Sequence, residues 1–167
     1  YPMVTMNGEE CHNEWEITFE EIHRNGAIAF GIYNYIRHTG DVAYLDTYGL
    51  PVLAGIARFW AQRLNWSEAK QAYVMLGVTG PNEYENNVNN NWYTNYIARW
   101  CIAYCLEVNA MVSNALAQKL SAQEIEKFKH IVDNVYFPQL EGTNIFLQQD
   151  GFMDKEQLST ADIAVAE

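Results

Sequence analysis

Apolar side chains recur at helical spacing in four segments of this chain, and this pattern restricts the fold to a mainly helical one. The predicted helices A, B, C and D cover roughly residues 18–38, 51–65, 94–116 and 121–135. Such stripes are typical of amphipathic helices that bury one face. Short apolar runs at residues 73–78 and 144–151 indicate extended segments. The pattern therefore predicts two helical pairs, each followed by a short extended segment and a polar loop.

Start signals and helix breakers place the beginnings of these helices. Residues 18–21 (Thr-Phe-Glu-Glu) and 121–124 (Ser-Ala-Gln-Glu) have the capping-box pattern, in which a hydroxyl and a carboxylate satisfy free backbone N–H groups. Asp41 can cap a further helical stretch. Gly49 and Pro51 are expected to interrupt that stretch, so that B begins at Pro51. Helices A, B and D are therefore each predicted to begin at a residue that is typical of a helix start.

Length and composition favour a single domain over residues 1–167, without an internal boundary. With 49% apolar residues among 167, the chain can bury a sizeable core. The formal net charge of −11 argues against nucleic acid and anionic membranes as partners, and an anionic substrate would need a local basic pocket. The sequence has no apolar run long enough to span a bilayer.

The three cysteines favour a reducing compartment. Cys101 and Cys105 stand one helical turn apart, which is a poor geometry for a mutual disulfide. Reduced thiols in a cytoplasmic protein are the simplest interpretation. Because no histidine or further cysteine stands at ligand spacing, we expect no metal site.

The segment Gly77–Asn95 has the side chains best suited to a neutral, polyhydroxylated ligand. It reads GVTGPNEYENNVNNNWYTN, with a Gly-Pro turn before Glu83. Amides hydrogen-bond to hydroxyls, and Tyr84 and Trp92 are candidate substrate-binding residues because aromatic rings cover the apolar faces of sugars. The carboxyl of Glu83 is a candidate general acid. Asn-rich stretches also occur in ordinary turns and in low-complexity segments, which is the alternative interpretation.

Chain order predicts that three polar loops share one end of the helices. Consecutive helices with modest connections usually run antiparallel. The loops before A (9–16), before C (77–92) and after D (148–155) then lie at the same end. All three are rich in acidic, amide and aromatic side chains. We therefore expect a functional site on this shared rim.

Cleavage of a glycosidic bond is the chemistry that these side chains suit. An inverting hydrolase needs an acid and a second carboxylate that activates water, whereas a phosphorylase needs only the acid because phosphate is already a nucleophile. Glu83 is the candidate acid and Glu85 is its rival. The amide before Glu83 and the helix start behind it favour the ionised form, so burial against Tyr84 and Trp92 is expected to keep Glu83 protonated.

Two further groups of side chains are candidates on the same rim. His12, Asn13 and Glu14 form a trio of donor, amide and acceptor that suits sugar hydroxyls, although it can equally be a lead into helix A. His23 and Arg24 can face the rim as well. An ordinary salt bridge is the simpler interpretation of that pair.

Three blocks of the sequence resemble the glycoside hydrolase family that holds the maltose, trehalose and kojibiose phosphorylases. They are residues 7–17 (NGEECHNEWEI), 21–26 (EIHRNG) and 77–91 (GVTGPNEYENNVNNN). The resemblance implies an all-α fold in which this chain is the middle part of an (α/α)6-barrel catalytic domain. That part would contain two helical hairpins, short extended segments and polar loops on one rim. The implied reaction is inverting phosphorolysis of maltose to β-D-glucose 1-phosphate and D-glucose, with inorganic phosphate as co-substrate and no cofactor.

The resemblance also implies roles for individual residues. The family's proton donor is the Glu of a Gly-Pro-Asp/Asn-Glu-Tyr block, which carries over to Glu83. The loop associated with acceptor choice matches residues 12–14 here. Asn82 and Glu85 depart from the version seen in trehalose and kojibiose phosphorylases and favour the maltose branch.

Several alternatives stay open beside phosphorolysis of maltose. They are trehalose or kojibiose phosphorylase, an inverting α-glucoside hydrolase, and a non-enzymatic helical sugar-binding module. The family's upstream Trp-Asp motif and its downstream phosphate-binding segments are not among these residues, so this segment alone is expected to be inactive. For the full-length enzyme, the expected partners are a disaccharide, phosphate and a second copy in a homodimer.

Overall fold

The chain folds into α-helices joined by short extended segments and polar loops, which confirms the predicted fold class. The computed structural model describes residues 1–2, 5–11, 17–112 and 119–162. Its helices are α1 (Ile17–Glu20), α2 (Arg24–Thr39), α3 (Val42–Tyr44), α4 (Leu50–Arg63), α5 (Trp92–Met111) and α6 (Ala122–Asp133). A π-helical turn (Leu45–Gly49) joins α3 to α4, the strands β1 (Asn65–Ser67) and β2 (Ala72–Val74) lie between α4 and α5, and a 3-10 turn (Phe152–Asp154) follows α6.

Helices α4 and α5 form the centre of the core, and α2 and α6 pack against them. Their facing stripes are fully buried: Leu50, Leu53, Ala54, Ala57 and Trp60 on α4, and Ala98, Cys101, Ile102, Cys105 and Val108 on α5. All three cysteines are free thiols. Burial raises the pKa of Cys101 and of Cys105 to about 12, so both core sulfurs pack as neutral groups.

Helix α2 approaches α5 closely where Gly26 faces Ile97. A Cβ on Gly26 would lie 2.1 Å from Ile97 Cγ1, so a side chain at this position would force the two helices apart. The first turn of α2 therefore lies beside the beginning of α5, next to the polar loop that precedes α5.

Two predicted helix starts are confirmed and one is wrong. Residues 121–124 form the capping box of α6, and Asp41 caps α3 through its side chain. Thr18 lies inside α1 and Glu21 follows the last residue of α1, so neither begins the long helix α2. The Glu21 carboxylate is bound to Arg24 instead, because a charged partner holds a buried carboxylate more firmly than a backbone N–H does.

The interruption predicted at Gly49 and Pro51 does not occur. The π-helical turn continues directly into α4, with Gly49 as its N-cap residue and Pro51 in its first turn. Proline has no N–H to donate, and the π-helical turn just before it is a place where the regular helical bond pattern is already interrupted. Residues 42–63 therefore form one continuous helical segment.

The extended segment predicted at residues 73–78 is partly confirmed, because β2 begins it. Strand β2 pairs antiparallel with β1, with Asn65 opposite Val74. The sequence did not predict β1, since its three residues contain a single apolar side chain, too few to show a period. Tyr73 also pairs with Val135, which ties the chain after α6 to this hairpin.

The remaining predicted bounds agree approximately with the structure. Helix α5 begins two residues before Thr94, and the predicted end of C falls in residues 113–118, outside the described ones. Within the segment predicted as extended after D, Phe146 pairs with Gln139. Of the helices in the described part of the chain, none has the length and apolarity to cross a membrane.

Candidate active site

The loop between β2 and α5 is closed at its base by backbone hydrogen bonds. Val78 and Val88 bond to each other in both directions at 2.9 Å, so residues 79–87 form a closed loop. Asn87 and Asn90 have positive φ angles of 52° and 51°, a conformation that asparagine adopts more readily than most residues. Part of the asparagine run therefore serves the backbone geometry of this loop.

The buried asparagines of the segment have structural hydrogen bonds. Asn90, Asn91 and Asn95 are buried. Asn91 caps α5 by accepting hydrogen bonds from the backbone N–H and the hydroxyl of Thr94, both at 3.0 Å. Asn90 Oδ1 accepts from Met75 N at 2.9 Å. The prediction that these amides bind a sugar is therefore limited to the exposed members of the run.

The loop after α6 lies against the loop before α5, as predicted from chain order. Trp92 N donates to Gln148 O at 2.8 Å. Lys155 forms an ion pair with Glu85, so the rival to Glu83 already has a cation as its partner. Two of the three predicted loops therefore share one rim. The third includes residues 12–16, which lie outside the described part, and its place on the rim stays a prediction.

The last residue of α1 anchors the same loop. Glu20 Oε2 accepts from Thr79 Oγ1 at 2.7 Å and from Asn87 N at 2.6 Å, and Glu20 O accepts from Thr79 N at 3.1 Å. Hydrogen bonds to a carboxylate are stronger than those between neutral groups. The loop is thus attached to the end of α1 on one side and to the chain after α6 on the other.

Glu83 lies beside a second carboxyl group, that of Glu21. Glu83 is exposed, whereas Glu21 is only 4% exposed. Arg24 Nη2 lies 2.5 Å from Glu21 Oε2. Burial, and then the Glu83 carboxyl, raise the pKa of Glu21, while the Arg24 guanidinium opposes this shift. The predicted salt bridge of Arg24 is therefore confirmed, and it is part of the site.

Sequence reasoning missed Glu21 as a residue of the site. Glu21 stands three residues after Thr18, which is the spacing of a capping box, and that pattern alone points to a helix start. Its proximity to Glu83 depends on the packing of α2 against α5, which no local pattern shows. Within the sequence, the available signal was the short EIHR block, with its acid and two bases in four residues.

His23 is a further titratable residue near Glu83. Its Nδ1 lies 3.3 Å from Thr79 O, and its ring contacts the edge of the Tyr93 ring at 5.7 Å between centroids. Burial lowers the pKa of His23, so the neutral imidazole is favoured near pH 7. Arg24 is thus the permanent cation beside the pair formed by Glu83 and Glu21.

The prediction that Glu83 is buried against Tyr84 and Trp92 is wrong. Glu83 is exposed and Tyr84 is 96% exposed, because both lie at the tip of the closed loop. Trp92 opens α5 and stacks on Tyr96 one turn later, with ring centroids 5.1 Å apart. It also contacts Phe146 at 5.3 Å. Trp92 therefore belongs to an aromatic cluster behind the loop.

The candidate substrate residues His12, Asn13 and Glu14 lie outside the described residues. Their predicted role stays a prediction. Within the part of the chain that the structure describes, no group of three His, Cys, Asp or Glu side chains is placed to hold a metal ion.

Two open cavities meet at Pro81 and Asn82. One, of about 420 Å³, is lined by Pro81, Asn82, Glu83 and Tyr84. The other, of about 620 Å³, lies between the two loops of the rim and has aromatic and aliphatic walls that include Trp92 and Phe146. The smaller cavity offers a carboxyl, an amide and an aromatic ring to one ligand, which is the combination that a sugar hydroxyl and its ring face require.

Comparison with known proteins identifies the family whose sequences match this chain. The model of the glycosyl hydrolase family 65 central catalytic domain matches residues 1–166. Maltose phosphorylase of Bacillus subtilis is 54% identical over 164 residues, which are 97% of this chain and 22% of that protein. Kojibiose phosphorylase of Halothermothrix orenii is 33% identical over 81% of this chain and 19% of that protein.

More distant relatives and a solved structure agree with this match. The α,α-trehalose phosphorylase of Thermoanaerobacter brockii is 31% identical over 98% of this chain and 22% of that protein. A solved structure described as "Putative kojibiose phosphorylase from human microbiome" superposes with a TM-score of 0.87 at 26% identity, over 98% of this chain and 22% of that one. This agreement confirms the helical fold. The chain spans about a fifth of the length of these relatives.

Proposed function

The chain belongs to glycosyl hydrolase family 65, as part of its central catalytic domain, and we propose that the protein containing it phosphorolyses maltose with inversion. The products are β-D-glucose 1-phosphate and D-glucose. Identity to maltose phosphorylase is 54%, against 33% and 31% to the kojibiose and trehalose phosphorylases, and this difference supports maltose as the substrate.

The observation that carries the proposal is the placement of Glu83 in an open cavity, together with Asn82 and Tyr84. In the proposed reaction, Glu83 donates its proton to the glycosidic oxygen as the bond from that oxygen to the anomeric carbon breaks. An oxygen of inorganic phosphate forms the new bond to the same carbon from the opposite face. Glu83 is left ionised and is reprotonated before the next turnover.

The state of the neighbouring carboxyl, that of Glu21, supports phosphate and not water as the nucleophile. In inverting hydrolases the acid and base carboxyls are about 6.5–9.5 Å apart, which leaves room for the attacking water. The carboxyl beside Glu83, that of Glu21, is buried and bound by Arg24, which makes it a poor base for an attacking water. An inverting hydrolase would therefore need a base from elsewhere in the protein.

Substrate binding is proposed for both rim loops. Asn82 and Tyr84, which are exposed beside Glu83, would contact the sugar hydroxyls and ring face. Trp92 would line the adjacent apolar cavity. His12, Asn13 and Glu14 would set the choice of acceptor, as the family resemblance implies. No cofactor enters the proposed reaction, and the homodimer and the cytoplasmic location stay predictions.

Phosphate dependence of the full-length protein is the test. It should release glucose from maltose only when phosphate is present, with one β-D-glucose 1-phosphate formed for each glucose. Release of glucose without phosphate would favour the inverting hydrolase. Binding of maltose without turnover under any condition would favour the sugar-binding module.

A further inference from the structure

Three amide side chains form a hydrogen-bonded row that leads from the interior to the loop of Glu83. Asn82 Nδ2 donates to Gln148 Oε1 at 3.2 Å, and Gln148 Nε2 donates to Gln149 Oε1 at 3.0 Å. Exposure falls along the row: Asn82 is exposed, Gln148 is half-buried and Gln149 is only 1% exposed. Because Asn82 directly precedes Glu83, the row connects the interior to the residue beside the proposed acid.

The backbone of Gln148 is fixed against the beginning of α5. Trp92 N donates to Gln148 O at 2.8 Å, and Asn91 Nδ2 donates to the same oxygen at 3.4 Å. Asn91 is itself buried and caps α5. Since the backbone is held in this way and both ends of the amide are bonded, the Gln148 side chain is held in one orientation on the rim.

The direction of these hydrogen bonds decides which end of the Asn82 amide is available to a ligand. An amide nitrogen donates and an amide oxygen accepts. Because Gln148 Nε2 donates to Gln149, its Oε1 faces Asn82 and selects the Nδ2 end of that amide. Among the described residues, none donates a hydrogen bond to Asn82 Oδ1. Asn82 lines both cavities, so this oxygen is available to accept from a hydroxyl of a bound sugar.

We infer that Gln148 is a positioning residue for the substrate: it holds the Asn82 amide with its oxygen available to a hydroxyl of the sugar bound beside Glu83. The inference rests on the proposed function of the Glu83 cavity as the disaccharide site. Without Gln148, the Asn82 amide can turn about its side-chain bonds and present its nitrogen in place of its oxygen. Sugar binding is then weaker, whereas proton donation by Glu83 does not involve this bond.

The test compares kcat and KM for phosphorolysis of maltose by the full-length protein in two variants of Gln148. Gln148→Met keeps the length of the side chain but offers Asn82 only a weak acceptor. We expect the KM for maltose to rise about 3- to 10-fold, as for the loss of one hydrogen bond, with kcat within about threefold of wild type and the KM for phosphate unchanged. Gln148→Glu keeps an acceptor oxygen opposite Asn82 Nδ2, so its KM for maltose should stay close to that of wild type.

A double variant shows whether Gln148 acts through Asn82. Asn82→Ala should raise the KM for maltose, and the addition of Gln148→Met should raise it no further. Two effects that multiply would overturn the inference. Gln157→Met is the matched control, because Gln157 also follows α6, is exposed, and donates to the backbone oxygens of Phe152 and Lys155 at 3.3 and 3.1 Å. Its KM for maltose should be unchanged, and a rise equal to that of Gln148→Met would also overturn the inference.

The outcomes separate this inference from the proposed function. If glucose is released without phosphate, or if Glu83→Gln keeps more than a tenth of the activity, the proposed reaction is wrong, and the Kd for maltose then decides the role of Gln148. If the reaction holds but Gln148→Met leaves the KM for maltose unchanged, the inference about Gln148 alone is wrong. If Gln148→Met does not fold, Gln148→Asn decides, because its amide is one methylene too short to reach Asn82: a raised KM supports the inference, and an unchanged KM overturns it.

Discussion

Asn90 Nδ2 donates to Asp150 Oδ2 at 2.6 Å, and this bond joins the loop before α5 to the loop after α6. The two residues are 60 positions apart in the chain. Asn90 also accepts from Met75 N through its Oδ1, so a single buried amide connects three parts of the chain. The rim of the candidate site therefore depends on a side chain with a structural role.

Replacing this amide should loosen the rim. Asn90→Ala leaves Met75 N and Asp150 without their partner and places alanine at a positive φ, so we expect a loss of about 1–3 kcal/mol in the free energy of unfolding. Denaturant unfolding of the full-length protein measures this. Asn89→Ala is the matched control, because the Asn89 side chain is exposed and accepts from Gly77 N, and its cost should be smaller. Equal losses would contradict the role of Asn90.

The close approach of α2 to α5 makes Gly26 sensitive to any side chain. Gly26→Val would place carbon atoms against Ile97, and overpacking of this kind costs about 1–3 kcal/mol or more. Gly31→Ala on the same helix meets no atom within 4 Å and should be neutral or stabilising by about 0.5–1 kcal/mol. Thermal unfolding of both variants checks this pair. A stabilising Gly26→Val would show that the helices are farther apart than described.

The ion pair between Glu124 and Arg58 should contribute stability that depends on pH. Arg58 Nε lies 2.6 Å from Glu124 Oε1, and this contact, together with the cap, lowers the pKa of Glu124 to about 2. A folded-state pKa below the unfolded value means that the contribution is complete above the unfolded pKa of about 4.5 and is lost towards pH 2.

A conservative variant isolates this ion pair from the cap. Glu124→Gln keeps a capping side chain, since glutamine also occupies that position of a capping box. It should destabilise the protein by less than about 1 kcal/mol at pH 7, because the pair is partly exposed. The difference from wild type should narrow as pH falls from about 5 to 2. A difference that stays constant over this range would exclude the charge of Glu124 as its cause.

The two carboxylates of the closed loop should respond differently to amide substitution. Glu83→Gln should reduce phosphorolysis by about 10²- to 10⁴-fold, the usual contribution of a general acid. Glu85→Gln removes an ion pair with Lys155 at the edge of the site and should cost less than about tenfold. Initial rates of phosphate-dependent glucose release from maltose measure both. A larger loss for Glu85→Gln would transfer the acid role to Glu85.

The choice of the sugar acceptor should depend on residues 12–14. Exchanging His12, Asn13 and Glu14 for the matching residues of kojibiose phosphorylase should change which disaccharide forms from β-D-glucose 1-phosphate and glucose. Chromatography of the products of reverse synthesis identifies the new linkage. The matched control exchanges exposed residues at Asn7 and Glu9, where the product should stay maltose. An unchanged product after the first exchange would remove the specificity role.

Local patterns predicted the parts of this fold that depend on nearest neighbours along the chain. The apolar stripes of B, C and D became α4, α5 and α6, and the Ser121 capping box formed as expected. The same kind of pattern failed at Thr18, where Glu21 binds Arg24 instead of capping a helix. It also failed at Gly49, where a π-helical turn absorbs the expected break. In both places another local arrangement replaces the expected one, an ion pair three residues apart at Glu21 and a π-helical turn at Gly49.

The amino-acid sequence by itself determined the helical fold class, the family and the candidate acid Glu83, because periodicity and the Gly-Pro-Asn-Glu-Tyr block are local features. Only the tertiary structure decided that Glu83 is exposed, that Trp92 lies in an aromatic cluster, and that the Glu83 carboxyl helps to raise the pKa of the buried Glu21. The physical reason is distance along the chain. Glu21 and Glu83 are brought together by the packing of α2 on α5, and the electrostatics of a site depend on which charges are close in space.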